Sequence, residues 1–401
     1  MLKDRGGATF ARVELAFFFQ KNKEVENMAN TNLIKDITNA FGPSGFEEEV
    51  CRVIKNYTEG FDVTNDAMCN VYMKRKDFAK DEGKESEFAS KKPVVMLDAH
   101  SDECGMMIQG IRENGLLNFL TLGGIHLTNL PAHSVIVRNR EGKKIKGIIT
   151  SKPVHFLKGA SASSCDLDIE ELAIDVGASS KEEVMEVYGI SIGDPVVPDV
   201  TFEYNEEQGL CYGKAFDNRL GCVCIIETMK ELLNDSELAV DVVGAFAAQE
   251  EVGTRGAAVT SQVVKPDFAI VFEGSPADDF YYSVGMAQGC LRKGVQIRHR
   301  DLSYISNPVF IDLAHKIGDK YGIRYQDTVR RGGSTNAGKI SLEGKAVPVL
   351  VLGVPSRYVH THSNFAAMED IDAAVRMAAE VIRSMDKEMM DKILRKDILE
   401  G

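Results

Sequence analysis

"PVVMLDAHSDECGMMI", residues 93–108, contains the change of texture that decides the fold. Its first half, "PVVMLDAH", is a short apolar run that ends on a histidine, the pattern of a strand buried on both faces. After Cys104 the pattern changes. From about 108 to 206 short β-like runs alternate with turns, as in "LLNFLTLGG", "HSVIVRNREGKKIKGIIT", "LAIDVGA" and "GDPVVPD". That is the texture of a small β-rich module. On both sides of it the rhythm is α/β. Upstream, "NLIKDITNAFG" and "FEEEVCRVIKNY" carry helical spacing, and the charged stretch 75–92 reads as an exposed excursion. Downstream the pattern predicts a helix over 218–233, a strand over 238–247 and a helix from about 254. Strands over 268–273 and 347–352 follow, then a helix from near Asp370. The chain is read as one α/β domain (28–107 and 207–401) interrupted by a β-rich domain (108–206).

Composition narrows the function. The 401 residues are 44% hydrophobic and 27% charged, as in ordinary globular proteins. A formal net charge of −13 and the lack of a Lys/Arg-rich block argue against a nucleic-acid partner. No apolar stretch approaches the roughly 20 residues of a membrane span. The eight cysteines form no CxxC pair, and "CVC" at 222–224 sits in an apolar helical pattern. Buried free thiols, and with them a reducing cytoplasm, are the expectation. Residues 1–27 read as a non-native or disordered extension. "KEVENM" at 23–28 is what a ribosome-binding site ahead of a start codon would encode if translated, which makes Met28 the natural start.

Metal-competent residues recur where strands end. His100 ends "VVMLDAH" with Asp102 two residues on, and Glu250 and Glu251 end "VDVVGAFAAQ". Glu273 ends "DFAIVF", His360 follows "AVPVLVLGVPSRYV", and Asp217 opens a helix in "AFDNRLG". Singly, each has an ordinary explanation as a core histidine, an N-cap or a solvated strand end. Together they occupy the place where open α/β sheets bind ligands, outside the carboxyl ends of their strands.

This constellation resembles the M42 family of metallo-aminopeptidases, from about residue 31 to the C-terminus. The motifs that carry the likeness are "LDAHSDECGMMI", "FLTLGGIHLTNL", "IDVGASSKEEV", "GKAFDNRLG", "QEEVGTRGA", "GIRYQ" with "GGSTNAG", and "SRYVHT". The resemblance implies a zinc-peptidase α/β domain carrying an inserted dimerisation domain. It makes Asp217 a bridge between two divalent metals, one completed by His100 and Glu273 and the other by Glu251 and His360. Glu250 becomes the general base, and Asp102 orients His100. Zinc suits such ligands, with cobalt or manganese as alternatives.

The implied reaction is release of N-terminal residues from short peptides. Dimers would assemble into a tetrahedral dodecamer. A metal-dependent deacylase on another N-acyl substrate and a metal-free glycosidase are the rival readings. The chain departs from the family pattern at Glu273, where many relatives have Asp, and in "GGSTNA", where many have Gly-Gly-Thr-Asp-Ala. His362 reads as a surface or pocket residue. His133 is at most a candidate for reaching a neighbouring site.

Overall fold

The computed structural model describes residues 30–84, 86–152, 167–283 and 285–399. The expectations for residues 1–27 and for Cys165, one of the eight cysteines, lie outside these.

An eleven-stranded sheet forms the centre of the α/β part. Its middle is parallel: Asp241–Ala247 pairs with Val94–His100, which pairs with Phe268–Pro276, which pairs with Val349–Arg357. Register brings the carboxyl ends together, with Ala247 opposite His100 and Glu273 opposite Gly353. Every residue of Val94–His100 is buried, as a strand covered on both faces requires. One face packs against the helices Thr31–Asn39, Phe216–Glu231 and Met368–Arg383. The other packs against Arg255–Val264 and Ala337–Ile340. Leu97 is fully buried on the first of these faces, so Leu97→Ala would cost about 2–5 kcal/mol.

The inserted segment closes a separate barrel. Its strands run in the order Gly105–Ile111, Leu117–Leu122, Ile174–Asp175, Lys144–Ile149, Ser134–Arg138 and Pro195–Pro198. Alternation is clean in Lys144–Ile149, where Ile145, Gly147 and Ile149 face in, as a one-sided strand demands. The barrel has its own core, including Met106, Phe119, Val137 and Val196.

Three differences from the sequence reading have physical reasons. The 75–92 stretch is not wholly exposed, because Phe88 is buried and its ring lies 5.3 Å from that of Tyr72. One aromatic anchor pins an otherwise polar excursion. "LAIDVGA" supplies only the two-residue strand Ile174–Asp175. The helix expected from 218 begins at Phe216, but Asp217 has non-helical angles (φ −84°, ψ 105°), so it is not a simple N-cap.

Candidate metal centre at the strand ends

The parallel register delivers the expected residues to one spot. His100 is the last residue of its strand, and Glu250 and Glu251 follow Asp241–Ala247 by three and four positions. His360 follows Val349–Arg357. Asp217 enters from the start of its helix, close against the Phe268–Pro276 strand: a Cβ added at Gly274 would lie 2.5 Å from Asp217 Cα. Glycine at 274 is what permits that approach.

Asp217 is shared. Its Oδ1 lies 3.1 Å from His100 Nε2, and its Oδ2 lies 3.3 Å from His360 Nε2. His360 Nε2 is also 3.6 Å from Glu251 Oε2, and His100 Nε2 is 3.8 Å from Glu250 Oε2. The two adjacent glutamates therefore diverge, one toward each imidazole. Ligand atoms of His100, Asp217 and Glu251 lie within 4.8 Å of one another. Glu273 stands one step out. Its carboxylate accepts from Asn218 Nδ2 at 3.4 Å and lines the same cleft, of about 700 Å³, as Asp217, Glu250 and His360.

Each imidazole is held by its other nitrogen. His100 Nδ1 is 3.3 Å from Asp102 Oδ1 and equally far from the Asp102 carbonyl. His360 Nδ1 donates to the Gly124 carbonyl at 2.8 Å. Both contacts direct Nε2 into the site, as metal-ligating histidines require. Gly124 belongs to the barrel segment, so the inserted domain contributes a backbone atom to the centre. Asp102 does more than orient His100. Its oxygens accept the Glu250 amide at 2.9 Å, the Glu251 amide at 3.2 Å and the Ser44 hydroxyl at 2.6 Å.

The electrostatics are those of a cation site. Burial, then the neighbouring carboxylates, push Glu250 up to about 8. Burial likewise pushes Glu251 up to about 7 and Glu273 well above the usual range. The hydrogen bond to Asp217, with the surrounding carboxylates, lifts His360 to about 10. Against the cost of burial, the charges around His100 raise it too. Without a metal, protons must supply the missing positive charge. Glu251 Oε1 is buried with no hydrogen-bond partner, a penalty that a metal ion would remove. The donor set of imidazoles and carboxylates thus fits divalent metal ions.

Of the surface or pocket positions read for His362, the surface one is excluded: the residue is 4% exposed, and its ring centroid lies 4.1 Å from that of His133 of the barrel segment. Burial and His133 push it down to about 4. His299 and His315 both reach Asp327 Oδ1 at 2.7 Å, away from the strand-end site. Cysteine reading holds for the described residues, where all seven are free and Cys222 and Cys224 are buried.

Comparison with known proteins agrees with this architecture. The family model "M42 glutamyl aminopeptidase" matches residues 83–377. The glutamyl aminopeptidase of Lactococcus lactis is 30% identical over 75% of this chain and 83% of its own. The crystal structure of a TET aminopeptidase from the Thaumarchaeota archaeon SCGC AB-539-E09 superposes with a TM-score of 0.83 at 32% identity. It covers 90% of this chain and 98% of the other. The TET1 peptidase of Pyrococcus horikoshii, described as assembling into a tetrahedron or a large octahedral shell, gives 0.75 at 27% identity, over 88% and 99% of the two chains.

The fold and site are those of a hydrolase, a metal-dependent aminopeptidase. The chain belongs to the M42 peptidase family. Neither the glycosidase nor the non-peptide deacylase reading is favoured by these relatives. Among the described residues no helix is long and apolar enough to cross a membrane.

Proposed function

We propose that the strand-end cluster binds two divalent ions, zinc in preference to cobalt or manganese, and releases N-terminal residues from short peptides. Asp217 carries this reading, because its two oxygens face two different imidazoles at 3.1 and 3.3 Å. A carboxylate so placed would hold one ion on each side. His100 and Glu273 would complete one ion's set, Glu251 and His360 the other's. When bound, such a pair acidifies a shared water, polarises the scissile carbonyl and stabilises the tetrahedral oxyanion. Glu250, raised by burial and set beside His100 without sharing Asp217, takes the water's proton and passes it to the leaving amine. Asp102 fixes His100 and both glutamate amides at once. Across the cleft, Tyr282, Met286 and Arg331 offer a wall for the substrate side chain.

The barrel is read as the dimerisation module. Leu120, Ile148, Met185, Val187 and Ile192 are large apolar side chains of the inserted segment, and all are exposed, as on a self-association surface. Dimers made this way would build a tetrahedral dodecamer whose chamber admits only short peptides, working in the cytoplasm. Light scattering on the full chain should show a large closed assembly, and a stable monomer would contradict it.

The catalytic roles are tested by metal analysis and turnover together. Glu250→Gln should retain both ions and lose about 10²–10⁴-fold in turnover. Glu251→Gln should lose metal as well as activity. Equal metal loss from both variants would end the division of labour between the glutamates.

A further inference from the structure

We propose that Cys104 is an additional ligand: its thiolate binds the ion held by Glu251 and His360 and biases that position toward soft ions, zinc over manganese. The inference rests on the assignment of Glu251 and His360 as ligands. Cys104 Sγ, a Glu251 oxygen and a His360 ring nitrogen lie within 4.8 Å of one another. Glu251 is 3% exposed at its side chain, and its Oε1 has no partner. The thiol therefore shares its space with a buried carboxylate.

The backbone holds the thiol there. Cys104 precedes Gly105, where a Cβ would lie 2.6 Å from Pro43 Cβ and 2.7 Å from the Val196 carbonyl, so the chain is clamped. From the far side, Gly123 has φ +97°, and a Cβ there would lie 2.7 Å from Cys104 Sγ and 3.1 Å from Glu251 Oε2. Glycine at 123 leaves one small space, which the sulfur and the carboxylate share. Other thiols are differently engaged: Cys222 Sγ donates to the His100 carbonyl at 3.2 Å, and Cys51 Sγ donates to the Cys69 carbonyl at 3.3 Å.

Softness supports the assignment. On binding, the S–H bond breaks, the proton passes to solvent, and the sulfur lone pair enters the metal's coordination. Thiolate is a soft donor that favours zinc, whereas manganese prefers oxygen.

Cobalt substitution of the full-length chain tests this with a readout independent of activity. The chelated protein, titrated with Co²⁺, should develop an intense near-ultraviolet thiolate-to-cobalt charge-transfer band. Cys104→Ser should lose the band while retaining cobalt at saturation. Its preference for zinc over manganese in competition should fall at least about tenfold. In the unmutated chain, bound zinc should protect Cys104 from alkylation by iodoacetamide, mapped by mass spectrometry, so the test does not depend on the variant folding. Cobalt bound without the band, a band that survives Cys104→Ser, or alkylation unaffected by zinc would each overturn the proposal and leave the dimetal reading standing. Full cobalt content in Glu251→Gln would instead remove the ligand assignment beneath it.

Discussion

Asp102 and Glu103 are adjacent, yet each belongs to a buried charge cluster built on a different rule. Glu103 is balanced. Lys214 Nζ reaches its two oxygens at 2.5 and 2.6 Å, and Arg219 Nη2 stands at 3.5 Å. Arg219 also donates to the carbonyls of Ile37, Ala40 and Gly42, tying the Thr31–Asn39 helix and the turn after it to the Phe216–Glu231 helix. Asp102 faces the opposite way, toward Asp217, Glu250, Glu251 and Glu273, where carboxylates outnumber cationic side chains. A cluster whose charges cancel within the protein serves the fold. One that cancels only with added cations serves chemistry, and the fold pays for it when the cations are absent.

The sharpest way to break this contrast is to remove one charge from each side. Lys214→Met strands Glu103 with only the longer Arg219 contact, and should cost about 3–5 kcal/mol of stability. Glu251→Gln, measured on chelated protein, should cost nothing or stabilise, since it removes one of several repelling carboxylates. Denaturation of both variants in chelator decides the matter. Equal destabilisation would mean that the two clusters are built alike.

Asp102 joins the two worlds and should show an intermediate effect. Asp102→Asn retains the size of the side chain but weakens its hold on His100 Nδ1 and on the amides of Glu250 and Glu251. Metal affinity should fall about 10–100-fold, with a smaller loss of stability than for Lys214→Met. Competition against a chelator of known affinity measures it. Unchanged affinity would limit Asp102 to a role in loop packing.

How much of this was legible in the sequence follows from where the information resides. The strand-end cluster is legible because a buried strand and its last residue are neighbours in the chain. His100 and Glu251 are of this kind. The partners that complete them are distant in the chain. Gly124 meets His360 across more than two hundred residues, Lys214 meets Glu103 across more than one hundred, and Gly123 of the barrel packs against both Cys104 and Glu251. Periodicity carries no signal for such meetings. Phe88 gives no signal because a single aromatic in a charged stretch has no pattern, and the choice between surface and pocket for His362 rests on His133 of the other domain.

A pH series sharpens the contrast further. The folded-state values of Glu251 and Glu250, about 7 and about 8, lie above the ordinary 4.5. Their contribution to the metal-free chain is fully present below about pH 4.5 and is lost as pH rises through 7 and 8. His360, raised from 6.5 to about 10, acts in the same direction. Chelated protein should thus lose stability steadily between pH 5 and 8. With saturating zinc the slope should reverse, because ion binding requires deprotonated ligands and stabilises only the folded chain. Parallel slopes with and without zinc would show that the carboxylates do not take up the metal.

The smallest effect belongs to Ser44, outermost in the chain of contacts that holds the centre. Its hydroxyl donates to Asp102 Oδ2 at 2.6 Å, while the same carboxylate retains the Glu250 and Glu251 amides and His100. Ser44→Ala removes one of four partners from a fully buried group, a loss of about 1 kcal/mol. Metal affinity should change by less than the tenfold expected at the least for Asp102→Asn, and the charge state of the cluster should stay as it was. The stability curve against pH should therefore shift down without changing slope, in chelator and in zinc alike. A changed slope would mean that Ser44 sets the charge of Asp102 and not merely its position, which would move the boundary between the balanced and the unbalanced cluster one residue further from the metals.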